Sequence, residues 1–393
     1  MSKITEKLVL EILSWIPIKF LLRLTPVCKA WHQLITANPD FANLHLNRST
    51  KSSNSVLMLT RITPRLEKFY TLCSPDGHDL DDPVKLVLPF DDSPSGTFHR
   101  IVSSCNGILC FAISNDEPGF KITPKSSFYL WNPSTNEHLT VPSPPIPTEY
   151  GKLIRKRNFI DLKYGFGFHP ARNEYKLVRI LGLDSLKGPS HISVYTLGEE
   201  EWRVLGEASY IFRSVNSCNT LVGGAIHWNA KRMGADCWDL IVSFDIGDEV
   251  FGEISLPSEI NPNEVEDVVV SELGGLLCYT CQFPRQGDGV HIWVMKEYGM
   301  ANSWAKQYVI KLPMTTSWEL YVEPLDIVDD GKVLYCLGVN HQLFLYNPRN
   351  NLIRERRDFS FLYRQVYPHV RSLTSPRINK PRKKMRLAPS CSD

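Results

Sequence analysis

The chain has 393 residues, of which 43% are hydrophobic and 11% aromatic, and its formal net charge is +2. This length and composition predict a globular protein with a large and a small domain, and they exclude a disordered chain. The sequence contains neither a run of eighteen apolar residues nor a signal-peptide pattern, so we expect no membrane partner and no secretion. Ten cysteines without framework spacing then indicate free thiols in a reducing compartment.

Short amphipathic patterns open the chain, over Ile4–Ile16, Lys19–Leu24 and Pro26–Thr36. Their apolar arcs are wide, and the first covers roughly 160° of a helical wheel. Pro17 ends the first helix, because proline disfavours helical geometry in the residue before it. Thr25 is predicted as the N-cap of the third helix, and Asn38 before Pro39 as the N-cap of a fourth turn. About forty residues cannot bury this much apolar surface against themselves, so part of it is expected to meet another surface.

This helical region resembles the F-box motif. The resemblance rests on the run Glu11–Ile35, followed by Pro39-Asp40-Phe41 and His45, although the family usually begins with Leu-Pro where this chain has Ile4-Thr5. In the family, the motif binds a Skp-type adaptor, which attaches the protein to a cullin scaffold within a ubiquitin ligase. A cap on the following domain and a homodimer face are the competing interpretations. The adaptor contacts that the resemblance implies fall on Pro17, Leu21, Leu22, Val27, Cys28 and Trp31.

From residue 55 onward, short strand patterns alternate with Gly, Pro, Asn and Asp. The clearest repeats are Trp131-Asn132-Pro133 and Tyr346-Asn347-Pro348, where Asn-Pro supplies the first two positions of a type I turn. Aromatic residues that recur at strand ends favour packing between repeats over a ligand cage, which applies to Trp131, Trp293 and Tyr346. A four-stranded unit that repeats about every forty to fifty-five residues predicts a β-propeller.

Six blades are predicted, with seven as the alternative. Their approximate ranges are 55–90, 99–143, 162–207, 219–257, 266–313 and 325–366. A spare strand, Tyr367–Leu373, is expected to return to the first blade and close the ring, which removes the exposed edges of an open sheet.

The predicted fold class is therefore mainly β, with a small N-terminal all-α F-box followed by a β-propeller. The predicted parts are the F-box at 4–46, a linker at 47–54, the propeller at 55–375 and a basic, disordered tail at 376–393. The tail holds six Lys or Arg and one acidic residue, which leaves 38 basic and 41 acidic groups in the rest, a net charge of −3. By charge, the body is not expected to bind nucleic acid.

The repeating units also resemble the plant F-box-associated (kelch-like β-propeller) interaction domain. The resemblance is carried by Val102–Cys110, Leu130–Thr135, Tyr164–Pro170 with Glu174–Val178, Ser243–Asp245, and Ile292–Gly299 with Ser303-Trp304. In that family the C-terminal domain selects the protein to be ubiquitylated. The resemblance implies a non-catalytic receptor, the substrate-recognition subunit of a Skp-cullin-F-box ligase that recruits targets for degradation. A propeller enzyme with an accessory helical domain is the alternative.

Few candidate chemical sites are visible in the sequence. Cys278 and Cys281 form a lone C-x-x-C on a predicted strand, where positions i and i+3 face opposite ways, so a shared metal or disulfide is not expected. The acidic segment 76–82, which includes His78, lacks EF-hand spacing and is interpreted as a solvated loop. No nucleophile elbow, phosphate loop or His-Glu-x-x-His is present, and neither a metal nor a cofactor is predicted.

Target recognition is expected on the loops of one rim of the propeller, because repeated units share their core and differ in their insertions. The best candidate is the long connection 143–161, whose predicted target contacts are Tyr150, Lys152, Arg155, Lys156 and Arg157. A basic loop on an acidic body favours an acidic or phosphorylated partner surface, with a merely solvated loop as the alternative. The basic run 380–386 is interpreted either as a nuclear import signal or as an inert tail, which predicts the cytoplasm, the nucleus or both.

Overall fold

The protein combines an N-terminal group of helices with a long succession of strands. The computed structural model describes residues 6–49, 55–62, 68–73, 84–89, 98–114, 126–148, 150, 160–183, 188–213, 220–283, 289–312, 321–328, 331–338, 342–355 and 362–377. Within these ranges, no helix is long and apolar enough to cross a lipid bilayer.

The helical module consists of short helices joined by tight turns. Its elements are α1 (Glu6–Leu13), α2 (Ile18–Leu21), a 3-10 turn (Leu22–Leu24), α3 (Lys29–Ala37) and α4 (Pro39–Ser49). The helix α4 therefore continues past the boundary predicted at residue 46. The predicted cap of α4 is confirmed, because the backbone N–H of Phe41 donates to Asn38 Oδ1 at 2.9 Å.

The predicted N-cap of the third helix is wrong. Cys28, in extended conformation, precedes α3, while Thr25 has helical backbone angles and ends the 3-10 turn. The Thr25 hydroxyl donates to Leu22 O at 2.9 Å, and the N–H of Val27 donates to Leu24 O at 3.1 Å. These bonds continue the turn through the position where Pro26 was expected to start a helix.

The strands run through the rest of the described chain. They are β1 (Ser55–Ile62), β2 (Lys68–Cys73), β3 (Val84–Leu86), β4 (Phe98–Cys105), β5 (Ile108–Ser114), β6 (Ser127–Asn132), β7 (Glu137–Val141), β8 (Ile160–His169), β9 (Glu174–Leu183), β10 (Ser190–Thr196), β11 (Arg203–Ala208), β12 (Tyr210–Phe212), β13 (Thr220–Val222), β14 (Ala225–Arg232), β15 (Leu240–Asp245), β16 (Phe251–Ser255), β17 (Glu266–Leu273), β18 (Leu276–Gln282), β19 (Val290–Met295), β20 (Trp304–Ile310), β21 (Val322–Val328), β22 (Lys332–Leu337), β23 (Gln342–Asn347), β24 (Leu352–Glu355) and β25 (Leu362–Val370). A further 3-10 turn covers Ala301–Ser303.

The described strands form six antiparallel sheets, which we call blades. Blade 1 has the order β25-β1-β2-β3, blade 2 β4-β5-β6-β7 and blade 3 β11-β10-β9-β8. Blade 4 has the order β12-β14-β15-β16 with β13 also paired to β14, blade 5 β17-β18-β19-β20 and blade 6 β21-β22-β23-β24. Strands at or next to the inner edges contact one another in a closed circle: β25 with β4, β4 with β8, β8 with β14, β14 with β17, β17 with β21, and β21 with β25. The mainly β fold with a propeller is therefore confirmed.

The core of the propeller lies between neighbouring blades. Each of six buried clusters takes its residues from two adjacent blades, including the pair formed by blades 6 and 1. The closing strand also behaves as predicted, because β25 pairs antiparallel with β1, joining Ser55 to Val370 and Ile62 to Leu362. It begins earlier than the predicted Tyr367.

Antiparallel pairing gives the propeller two different rims. Turns between the first and second and between the third and fourth strands of a blade lie on one rim, and the remaining connections lie on the other. On the first rim, the Ser372 hydroxyl donates to Asn106 O in the β4–β5 turn at 2.6 Å, and the next residue, Leu373, packs among the helices. We call this the helix-side rim and the opposite one the far rim.

Candidate functional site

The helices of the N-terminal module pack around a small apolar core. Its buried side chains are Leu13, Ile18, Leu21, Ile35, Phe41 and, from beyond the last propeller strand, Leu373. Partly buried side chains, among them Leu22 and Trp31, pack against this core. The apolar side chains on the inner faces of the helices are thus buried within the protein.

Polar contacts fix α1 against α4. The Arg48 guanidinium donates to Glu11 Oε1 at 2.6 Å and lies 4.6 Å from the centroid of the Trp15 ring. The hydrogen bond from Arg48 holds the pKa of the Glu11 carboxyl below its usual value. The His45 imidazole donates through Nε2 to Ile16 O at 2.8 Å, and the Ser49 hydroxyl lies 3.2 Å from Nδ1. Burial lowers the pKa of His45, which favours the neutral form of the ring.

The outer face of the module exposes large apolar side chains. More than half of each side chain is accessible at Leu8 (53%), Ile12 (55%), Trp15 (63%), Phe20 (52%) and Val27 (59%). Leu8, Ile12 and Trp15 follow the i, i+4, i+7 spacing of one helical face. We call these five side chains the apolar patch. An open hollow of about 400 Å³, lined by Thr25, Pro26, Cys28, Lys29, His32 and Gln33, lies at the start of α3.

The structure distributes the predicted adaptor contacts unequally. Pro17, Val27 and Cys28 are exposed, and Leu22 and Trp31 are partly exposed. Leu21 is different, because its side chain is fully buried, so the prediction that it lies on the exposed surface is wrong. On the four-residue helix α2, Leu21 shares the inward face of Ile18, three residues earlier.

Most of the apolar patch was not among the predicted contacts. The sequence assigns no role to Leu8, Ile12, Trp15 and Phe20, although they are the most exposed apolar side chains between Glu6 and Leu21. The signal that points to the first three is the wide apolar arc of the first helical pattern, which the small core fills only in part.

The predicted target-binding loop leaves blade 2 on the far rim, between β7 and β8. Its first part is held by side chains of blade 3: Trp202 Nε1 donates to Pro142 O at 2.8 Å, and Arg179 Nη2 donates to Pro145 O at 2.7 Å. Arg179 is fully buried, and it also donates to Pro144 O at 3.3 Å and to Ser193 Oγ at 2.9 Å. A buried guanidinium thus anchors the loop through backbone carbonyls.

Tyr150 is placed differently from the prediction. Its side chain is buried, its hydroxyl donates to Pro189 O at 3.1 Å, and its ring lies edge-on to His191. The ring holds the loop against blade 3, and its contact with a target stays a prediction. The other predicted contacts, Lys152, Arg155, Lys156 and Arg157, lie outside the described residues, as does the basic run 380–386.

The candidate chemical sites have structural surroundings. Cys278 packs between blades 5 and 6 and Cys281 between blades 4 and 5, so the two thiols face opposite sides of β18 as predicted. Burial raises the pKa of each thiol to about 12. Among the described side chains, no group of three His, Cys, Asp or Glu is arranged to hold a metal ion. The acidic segment 76–82 lies outside the described residues.

Comparisons with known proteins agree with the two-part architecture. Residues 58–362 match the F-box associated beta propeller domain, and residues 1–42 match the F-box domain. The chain is 28% identical to F-box protein At3g07870 of Arabidopsis thaliana, over 88% of this chain and 83% of that protein. It is 26% identical to F-box protein CPR1 of the same plant, over 84% and 79%. It is also 26% identical to F-box/kelch-repeat protein At3g23880 of that plant, over 86% of each.

Proposed function

The chain belongs to the F-box proteins that carry an F-box-associated β-propeller, and from that premise we propose that it is the substrate-recognition subunit of a Skp-cullin-F-box ubiquitin ligase complex. In this function the helical module binds a Skp-type adaptor and, through it, a cullin scaffold. The propeller binds a target protein and is not itself an enzyme.

The observation that carries this proposal is the apolar patch. Its five side chains are each more than half exposed, whereas the buried core of the module lies on the other side of the helices. Large exposed apolar patches on a folded protein mark interaction sites. Because Arg48 packs on the ring of Trp15, the patch has a partly fixed geometry before any partner arrives.

The mechanism we propose is proximity. Binding a target close to a ubiquitin-charged partner raises the effective concentration of the two reacting groups without any bond being made by the receptor. The helical module lies on the helix-side rim, and the proposed target loop leaves from the far rim. The adaptor and the target therefore have separate surfaces and do not compete for the same side chains.

The test is a pair of substitutions in the apolar patch, Phe20→Ala with Val27→Ala. Both side chains are more than half exposed, so the module should stay folded. Truncating anchors at a packed interface typically costs on the order of 2 kcal/mol or more, so affinity for a purified Skp-type adaptor should fall at least about tenfold. Titration calorimetry measures the change.

The matched control is Val204→Ala with Leu352→Ala, which removes exposed apolar side chains from blades 3 and 6. Adaptor affinity should not change in that protein. Native affinity in the Phe20/Val27 variant would contradict the assignment of these two residues, and absence of adaptor binding by the native chain would contradict the proposed function.

A further inference from the structure

The chain continues past the closing strand β25 into a segment that contacts both parts of the protein. We call residues 371–377 the C-terminal tether. Ser372 is fully buried, and its hydroxyl donates to Asn106 O at 2.6 Å. Asn132 Nδ2 donates to Ser372 O at 2.9 Å and to Thr374 O at 2.7 Å. The tether is therefore fixed to two turns of blade 2, those at Asn106 and Asn132.

The contact with blade 2 is close enough to restrict the sequence. Gly107 has a φ of +81°, and a Cβ at this position would overlap the Ser372 side chain and lie 2.8 Å from Val370 O. Only glycine tolerates both the backbone angle and the approach of the tether. Further along, Arg377 Nε donates to His138 O at 3.0 Å, so blade 2 holds both ends of the segment.

The residue between these anchors belongs to the other part of the protein. Leu373 is 7% exposed and packs in the core of the helical module with Leu13, Leu21 and Phe41. Consecutive Cα atoms are only about 3.8 Å apart. The helical module and blade 2 are thus held by neighbouring residues of one segment, and neither can move away without breaking the bonds of Ser372 or withdrawing Leu373.

We infer that the C-terminal tether fixes the orientation of the helical module on the propeller, with Leu373 and Ser372 as positioning residues. The chain also enters the propeller at Ser55, opposite Val370, so the covalent connection to the module and the tether both leave from the helix-side rim beside blade 1. The covalent connection alone would let the module turn about it, and the packing of Leu373 adds a second restraint. If the proposed function is right, the tether also sets the position of a bound target relative to the adaptor. Only this consequence rests on the proposed function.

The test lengthens the tether without removing any of its contacts. Four glycines inserted between Ser372 and Leu373 extend the reach of the connection by about 11 Å and leave both anchoring side chains in place. The control carries the same insertion directly after Arg377, beyond the last described anchor. Fluorescent labels on the exposed residues Gln33 of α3 and Glu207 of β11 report the distance between module and propeller in single full-length molecules.

The native chain and the control should give one narrow distance distribution, and the insertion before Leu373 should widen it by several ångströms, up to about 10 Å. Leu373→Ala should widen it as well, which keeps the inference testable if the insertion protein does not fold. A narrow distribution in both variants would overturn the inference. Adaptor titration of the same proteins separates the role of the tether from the proposed function. A native chain that does not bind adaptor would contradict the proposed function but would not affect the distance measurement.

Discussion

His227 uses both nitrogens of its buried ring in hydrogen bonds. Its Nδ1 donates to Thr220 O at 3.3 Å, so Nε2 is the acceptor for the Tyr298 hydroxyl at 2.8 Å. Tyr298 belongs to the β19–β20 connection, so this bond joins blade 5 to blade 4. Burial lowers the pKa of His227 from its ordinary 6.5 to about 4. The neutral ring is therefore part of the folded state.

This depressed pKa gives stability a defined pH dependence. The unfolded chain takes up a proton on this histidine below pH 6.5 while the folded chain does not, so folding stability is lost as the pH falls towards about 4. The contribution is about 1.4 kcal/mol per pH unit. We expect His227→Gln to reduce the slope of unfolding free energy against pH by up to that amount, measured by urea unfolding between pH 6 and 5.

The control for this slope is His32→Gln, since His32 is exposed on α3. That protein should keep the native slope. Burial also lowers the pKa of His369, to about 3, so this histidine too makes the fold less stable as the pH falls. Part of the slope therefore remains in the His227 variant. An unaltered slope after His227→Gln would show that the ring does not stay neutral in the fold.

Aromatic residues at the third strands serve packing between blades. Trp131, Trp293 and Tyr346 are all buried, and each lies in the cluster shared with the preceding blade. Trp131 Nε1 donates to Asn136 Oδ1 at 3.2 Å, and the Tyr346 hydroxyl donates to Asn351 Oδ1 at 2.9 Å. The predicted structural placement is confirmed. The two hairpins are also alike in detail, because both asparagines have positive φ.

Trp131→Ala should therefore lower the free energy of unfolding by roughly 3–5 kcal/mol, because it leaves a large cavity between blades 1 and 2. Thermal unfolding measures the loss. Trp238→Ala is the control, since that ring is only half-buried and stacks with cations. If Trp131→Ala retained the native melting temperature and lost only target binding, a ligand-binding role would replace the structural one.

At the scale of elements, the connection that follows β7 has a fixed base. Arg179 and Trp202 bond three proline carbonyls, and Tyr150 is held by Pro189 O, so the chain both enters and leaves this base under restraint. A buried guanidinium is expensive to desolvate unless its donors are used. Both terminal nitrogens of Arg179 donate here to carbonyls of a surface loop, and this supports the proposal that the loop following Tyr150 has a defined starting position for recognition.

Charge reversal tests the recognition loop. The variant Arg155→Glu, Lys156→Glu and Arg157→Glu should slow association with a target captured by the full chain, by about tenfold at low salt and less at high salt. Adaptor binding should not change, because the apolar patch lies on the other rim. Surface plasmon resonance at two salt concentrations measures both.

The control reverses two exposed basic residues of blade 6, Arg349→Glu and Arg354→Glu, which alters the total charge in the same direction. Target association should then remain close to native. If the loop variant and the control behaved alike at every salt concentration, the loop would have no part in recognition.

Elements were predictable from sequence where a local signal decides them. Asn38 before Pro39 caps α4, and the Asn132-Pro133 and Asn347-Pro348 turns form because each asparagine Oδ1 accepts from the N–H two residues later. Thr25 before Pro26 offers the same kind of signal and yet lies in a turn. Leu21 and Leu22 are adjacent and equally apolar, so periodicity in a four-residue helix cannot decide which faces the core.

At the scale of the whole molecule, the repeat of strands and turns predicted the propeller and its closing strand. The boundary of the closing strand was less predictable, because register is set by pairing with β1 and not by the local pattern. Leu373 shows the limit most clearly. Nothing near it in sequence indicates a helical core, since the contact is made by residues more than three hundred positions earlier.

Ring closure joins the first strand of the propeller to the last, so it cannot occur until the last strand has been synthesised. Ile62 pairs with Leu362, so β1 leaves the ribosome three hundred residues before its inner partner exists, an interval of about 15 to 60 seconds at ordinary rates of synthesis. The helical module waits for Leu373 over the same interval. A chain released early therefore lacks both the last strand of its ring and a core leucine of its helical module. Completion of the propeller and completion of the helical core thus depend on the same closing segment.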